Sequence, residues 1–324
     1  MSYFRSYFEK NNTIIKNNRT NTSKNPTTEI FYGSSFSKFI FKIDFTDLIS
    51  KINNGTYVLS SDTKHTLHLT NTIFGNETFL GAERGTGKER TTSFDLILFK
   101  IPEEWDEGVG FDYENVDINL GNKTYDIRPS NWFSRTTQDD WSVSGIYSTN
   151  PDIITTIHFD NGNEDINVDI TEYVNDIING NTNYGLGLTF PVLFESLTSE
   201  YDQSVAFFTK YTQTFFEPYV ETFFNDTIND FRYNTVTEDI QNLYLYVTKG
   251  GNFIDLDELP TVDILDRLGY VIPGLSDLST IKVRKGIYKV EIQINGSLCP
   301  VKAFFSDKWK GLIINGVQLS DVTQ

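Results

Sequence analysis

The chain has 324 residues, 44 acidic against 27 basic side chains, a net charge of −17, and 15% aromatics dominated by 26 Phe and 17 Tyr. That length allows two or three domains. The charge repels phosphate backbones and anionic lipid, which excludes nucleic acid as a partner, and the single cysteine, Cys299, excludes an intrachain disulfide and a four-thiolate zinc site.

In chain order, residues 1–30 are polar and net basic, with Arg5, Lys10, Lys16, Arg19 and Lys24 against Glu9 and Glu29. They hold no signal-peptide-like apolar run, so synthesis and folding in a reducing cytoplasm are expected. Such a segment cannot bury a core of its own. It predicts an extended or disordered N-terminal arm that orders on an acidic neighbour, anchored by Tyr3, Phe4, Tyr7 and Phe8. From Phe31 onward the pattern is β. Phe39, Phe41, Ile43 and Phe45 alternate with Ile40, Lys42 and Asp44, the signature of a strand with one buried face. Asn53-Asn54-Gly55 is a turn, and His65–Leu69 a further strand. Phe94–Ile101 is nearly continuous in apolar residues until Pro102 stops it, as in a strand buried on both faces. Ile153–Phe159, Ile166–Ile170, Tyr184–Phe190, Ser204–Thr209 and Pro218–Phe224 read likewise. One short helix interrupts them, with Thr171 as N-cap, an apolar stripe at Tyr173, Val174, Ile177 and Ile178, and Gly180 at its end. Residues 226–240 read as a linker. Beyond it Leu243, Leu245 and Val247 alternate with tyrosines, and Tyr288, Val290, Ile292 and Ile294 precede a hairpin signal at Asn295-Gly296. The fold class is therefore all-β: a jelly-roll β-sandwich over 31–225 and a small immunoglobulin-like β-sandwich over 241–324. No stretch reaches the roughly 20 apolar residues of a membrane span.

Few motifs suggest chemistry. Gly81–Glu89 superficially resembles a phosphate loop, but Ala82 stands where a Gly is needed and Glu89 replaces the metal-binding hydroxyl. His65 and His68, three apart on a strand, fall on opposite faces, and His158 is the only other histidine, so no metal site is expected. Glu103, Glu104, Asp106 and Glu107 around Trp105, and Asp139-Asp140 before Trp141, are the carboxylates a glycoside hydrolase would need. An acidic chain also carries such clusters as solvated faces. Residues 160–165 form an oxygen-rich turn that reads as a hairpin turn, since it lacks the ligand order of a helix-loop-helix calcium site. Trp105, Trp132 and Trp141 either pin loops across the sandwich or stack on sugar rings or a neighbouring subunit.

The order of several motifs resembles the jelly-roll module of cell-surface and phage virion proteins called the DNRLRE domain. Ser37–Phe45 is similar to its opening strand, with Lys38 in the usual Arg place, and Leu96–Ile101 followed by Glu104-Trp105-Asp106-Glu107-Gly108 to its central strand and turn. Asn131-Trp132 and Trp141–Gly145 match its mid-domain tryptophans; Val168–Gly180 with Asn183–Leu188 matches its helix and following strand. Phe207–Thr209 and Glu217–Val220 resemble its closing pair. Joined to a second sandwich, this looks like a tail or neck protein of large crAss-like tailed bacteriophages. The resemblance implies a virion structural protein, a ring or collar component that mediates subunit–subunit assembly. Its partners would be portal, tail or fibre proteins and copies of itself. The alternative is a carbohydrate-binding, host-adhesion module using Trp105, Trp132 and Trp141. Neither reading calls for a cofactor or for enzymatic activity.

Overall fold

A computed structural model describes residues 2–33, 35–72, 93–110, 129–147, 149–196, 203–232, 238–296 and 304–324. The Gly81–Glu89 loop and Cys299 lie outside the described residues. The chain is all-β, as its alternating pattern predicts. It forms two compact units. One holds the described residues of 3–47 and 64–223; the other holds Ser2 and the described residues of 48–63 and 224–324.

The first unit is built on an eight-stranded sheet. Its strands are β1 (Ser2–Ile15), β3 (Ser37–Ile43), β4 (Lys64–Leu69), β5 (Phe94–Lys100), β6 (Asp152–Phe159), β7 (Ile166–Asp169), β8 (Leu186–Thr189) and β10 (Tyr219–Phe224). They run in the order β6-β5-β8-β3-β1-β10-β4-β7, and β2 (Thr27–Tyr32) pairs separately with β9 (Gln203–Phe208). Residues 160–165 join β6 and β7, which occupy opposite ends of that order, so this connection is not a hairpin. So short a link spans at most about 20–25 Å; the sheet must curl until its edges approach, which is the closure expected of a jelly roll.

The N-terminal segment corrects the expectation of an arm. β1 lies at the middle of the sheet. Phe8–Ile15 pair antiparallel with β3, with a bulge between Phe8 and Lys10, while Tyr3, Arg5 and Tyr7 contact Phe223, Glu221 and Tyr219 of β10 in constant antiparallel register. The strand thus passes from one half of the sandwich to the other, as corner strands do. Its last five residues, Asn11 to Ile15, are all buried. β3 departs from one-faced alternation for the same reason: it sits between β1 and β8 and is buried on both faces, Lys38 included.

Three helices are present among the described residues where one was expected: α1 (Thr46–Asn53), α2 (Thr171–Ile178) and α3 (Val192–Ser196). α2 buries Tyr173, Val174 and Ile177 as its stripe predicts. Thr171 does not cap it: its hydroxyl accepts from the His65 N–H, and the Asp169 carboxylate receives the Thr171 N–H. α1 has only about two turns and fully buries Leu48 alone, too short a period to stand out.

The second unit contains two small sheets, β11 (Ile240–Tyr246) with β17 (Ile287–Gln293) and β16 (Ile281–Arg284), and β14 (Thr261–Leu265) with β15 (Leu278–Ser279), β18 (Ser306–Lys310) and β21 (Val322–Thr323), and two short hairpins, β12 (Thr248–Lys249) with β13 (Asn252–Phe253) and β19 (Ile313–Ile314) with β20 (Val317–Gln318). Leu243, Leu245, Val262, Ile264 and Val290 pack with Trp309 between them. The expected linker is partly structural here. Arg232 clamps Asp307 with Nε at 3.3 Å and Nη2 at 2.8 Å, and also donates to the Tyr244 carbonyl.

Candidate functional site

The tryptophans are where the two sequence readings part. Trp105, Trp132 and Trp141 are 0%, 4% and 4% exposed. A ring so enclosed offers no face to a sugar or a neighbouring subunit, so the expected glycan or interface contact at these three residues is corrected. Their indoles pin loops instead: Trp105 Nε1 donates to the Tyr184 carbonyl at 2.9 Å and Trp141 Nε1 to the Asn131 carbonyl at 2.8 Å. Trp132 forms one wall around the Lys38 ammonium, which lies 4.7 Å from its ring and 3.4 Å from that of Tyr147.

Lys38 is the most unusual group of the interior. It is 0% exposed, donates to the Gly145 carbonyl at 2.6 Å and pairs with Glu195 at 3.0 Å. Burial pushes its pKa down to about 8, with Glu195 pulling the other way. The ring faces of Tyr147 and Trp132 also favour the cation. Lys38 holds the loop of Gly145 and helix α3 against β3, which is a structural task.

The carboxylates beside Trp105 are equally committed. Glu107 receives the Asn11 N–H at 2.9 Å, Lys24 at 2.7 Å, the Tyr211 hydroxyl at 2.7 Å and Lys210 at 3.1 Å. Burial alone would raise its pKa; these partners overturn that and hold it below the usual carboxylate range. Glu104 is treated the same way, burial being outweighed by Lys10 and Lys42. A glycosidase needs one carboxyl kept protonated near neutrality, and both of these are driven in the opposite direction.

These bonds belong to a wider polar lock between β1, the segment after it and the Trp105 turn. Asn12 donates to the Ser130 carbonyl and accepts from the Thr22 N–H. Asn21 donates to the carbonyls of Glu107 and Pro129 at 2.8 and 2.7 Å and accepts from the Gly110 N–H at 2.9 Å. Gly110 must be glycine, because a Cβ there would fall 1.7 Å from the Asn21 carbonyl oxygen. Gly185, at φ +102°, is likewise placed 2.3 Å from the Phe41 oxygen by any Cβ.

The histidines do not converge. His65 is buried and bonds Thr222 at 2.8 Å; burial lowers its pKa to about 4, so it is neutral. His68 stacks on Tyr219 at 4.7 Å. His158 sits across from Asp95 on the surface, with Nδ1 2.7 Å from it and Nε2 3.3 Å from Asp160. The two acids address opposite ring nitrogens and enclose no common point. In the 160–165 turn, Glu164 accepts the backbone N–H groups of Asp160 and Asn161 at 2.9 and 2.7 Å, turning its carboxylate inward. Among the described residues no group of three or more His, Cys, Asp or Glu is placed to hold a metal ion, and no helix is long and apolar enough to cross a membrane.

Of the four arm residues, Phe8 is buried and stacks on Phe41 at 4.5 Å, whereas Tyr3 and Tyr7 are exposed. Their outward face was missed in the sequence, although Tyr3-Phe4-Arg5-Ser6-Tyr7-Phe8 carries the period-two signal of a strand. Further exposed apolar side chains stand on stiff turns. Asp266 Oδ1 accepts the N–H groups of Leu268 and Tyr270, presenting these side chains at 77% and 70% exposure, and Phe215, 87% exposed, rides on the Phe216–Phe208 stack.

No family model matches the chain, and no curated protein matches it. A solved structure of a DUF4785 family protein from Legionella pneumophila subsp. pneumophila str. Philadelphia 1 is similar at 9% identity with a TM-score of 0.20. The match covers 98% of this chain, which spans 64% of that protein's length, and a likeness of this degree supports no conclusion about fold or function.

Proposed function

We propose that the chain is a structural protein of a tailed-phage virion, a ring or collar component of the tail or neck that joins copies of itself and neighbouring virion proteins. The reading starts from the ordered motifs that resemble the DNRLRE module. One observation carries it further: large apolar side chains are held out on preformed turns, as Leu268 and Tyr270 are by Asp266. With Val271, 43% exposed, these two gather on one turn, and clustered exposed apolar groups suit a contact surface. Support for a non-enzymatic role comes from Glu104, Glu107 and Lys38, whose charges are tied into the fold. A carbohydrate module centred on Trp105, Trp132 and Trp141 is not retained, since those rings are enclosed.

The test is quantitative mass spectrometry of purified particles. The chain should appear at a fixed copy number that matches a ring symmetry. Its absence from particles, or a copy number that scatters between preparations, would overturn the reading.

A further inference from the structure

One face of the first unit carries aromatic side chains interleaved with charges of both signs. On β1 the outward residues are Tyr3, Arg5, Tyr7 and Glu9; on β10 they are Tyr219, Glu221 and Phe223. On β4 they are Lys64, Thr66 and His68, and β7 adds Asn167 and Asp169. The strand pairings align them in rows. Tyr219 stands opposite His68 and His68 opposite Asn167, while Glu221 stands opposite Thr66 and Thr66 opposite Asp169. Arg5 bonds Glu221 at 3.2 Å and lies 4.3 Å over the Tyr219 ring, whose other side stacks with His68. Tyr219 is half-buried with both ring faces occupied, and acts as a spacer. Tyr3 and Tyr7, 57% and 45% exposed, flank Arg5; each ring touches one ring of β10, Phe223 at 5.4 Å and Tyr219 at 6.2 Å, and is otherwise open to solvent.

We propose that this face binds an uncharged oligosaccharide, with Tyr3 and Tyr7 as stacking platforms and the Arg5–Glu221 pair as the hydrogen-bonding centre between them. Three features select that ligand. First, the charges cancel: Arg5, Lys64 and Lys42, which pairs with Glu9 at 3.2 Å, against Glu221, Asp169 and Glu9, on a chain of net charge −17. An anionic polymer would meet the field of the whole protein, and a cationic peptide would find no excess of acid on this face. Second, a guanidinium and a carboxylate side by side offer a donor fork and an acceptor pair, which suits vicinal hydroxyls. Third, Tyr3 and Tyr7 are four residues apart on one strand, about 14 Å at the usual rise. That exceeds one sugar ring and calls for a chain. A tyrosine ring combines an apolar face with a polar tip, as a sugar does. The face lies away from the buried tryptophans, and its occupation by a glycan would add adhesion to an assembly role without depending on it.

The experiment is affinity electrophoresis of the full chain in gels containing soluble neutral polysaccharides (a β-glucan, a mannan, a galactan and dextran), with an anionic polysaccharide as counter-probe. Retardation in at least one neutral gel is expected. Tyr3→Ala and Tyr7→Ala should each weaken it at least ten-fold, and Arg5→Lys should weaken it while preserving charge. Unchanged far-UV circular dichroism and melting midpoint would show that the variants remain folded, as exposed positions should. The proposal is overturned if no neutral polysaccharide retards the chain, if only the anionic one does, or if the Tyr3→Ala/Tyr7→Ala double variant is retained like the parent. The particle census above is independent of this outcome.

Discussion

Both units bury an apolar core, with Phe39, Phe41, Leu96 and Leu98 among the residues of the first, but the first adds to it a buried polar cluster around β1. Around β1 the first unit buries Asn11, Asn12, Thr13, Asn21, Thr22, Ser23 and Ser130, and satisfies them with one another and with backbone groups. Around Trp309 the second unit buries Leu243, Leu245, Val262, Ile264 and Val290. An apolar core tolerates a change of shape at moderate loss, since burial is non-directional. A polar core is all or nothing: each unmade bond leaves a dehydrated donor or acceptor.

The largest expected effect follows from that contrast. Asn21→Leu raises hydrophobicity, yet it orphans the Gly110 N–H and the Pro129 carbonyl and leaves the Glu107 carbonyl with the Ser130 hydroxyl alone. A loss of about 4 kcal/mol or more is expected, or failure to fold, read from urea unfolding. If Asn21→Leu is neutral, the polar lock is not what holds β1. In the second unit Leu245→Ala should cost about 3 kcal/mol, with the first unit's melting transition unaffected.

A smaller effect separates buried polar from buried charged groups. His65 has its folded pKa lowered by burial to about 4, below its unfolded value. The unfolded chain therefore binds the proton first. Stability is full above about pH 6.5 and falls as pH drops toward 4, by roughly 2–4 kcal/mol. Denaturation midpoints at pH 7, 5.5 and 4.5 should show this slope, and His65→Asn should flatten it relative to the parent.

The smallest effect is at Lys38. Burial lowers its pKa to about 8, so the charged form is disfavoured in the fold at neutral pH, and this penalty fades as pH rises from 8 toward 10.5. Replacing the pair together, Lys38→Met with Glu195→Leu, should be neutral or stabilising within about 1 kcal/mol at pH 7. Glu195→Gln, which leaves the buried cation without its counter-charge, should be clearly destabilising, and a matching loss in both variants would show that the ion pair, not the packing, holds α3.

Much of this architecture was legible from side-chain spacing. The strands β5, β11 and β17, and the stripe of α2, lie where alternation and the 3.6-residue period place them, because those residues face one apolar interior. The first 30 residues were not legible. Asn11, Asn12 and Asn21 score as loop formers by composition, and only partners distant in the chain, such as Ser130, Glu107 and Gly110, make their burial favourable. Trp105, Trp132 and Trp141 were ambiguous for a related reason, since a tryptophan's type does not say whether its ring is covered.

The amino-acid sequence by itself determined the all-β class, most strand positions and helix α2, since these depend on the local period of apolar side chains. Tertiary structure alone decided that β1 is a central strand, that the carboxylates of Glu104 and Glu107 are neutralised, and that Tyr3, Arg5 and Tyr7 share a face with β10. Those outcomes rest on pairings between residues some 80 to 220 positions apart, roughly the separations from Lys24 to Glu107 and from Tyr3 to Phe223, and a local pattern carries no record of a distant partner.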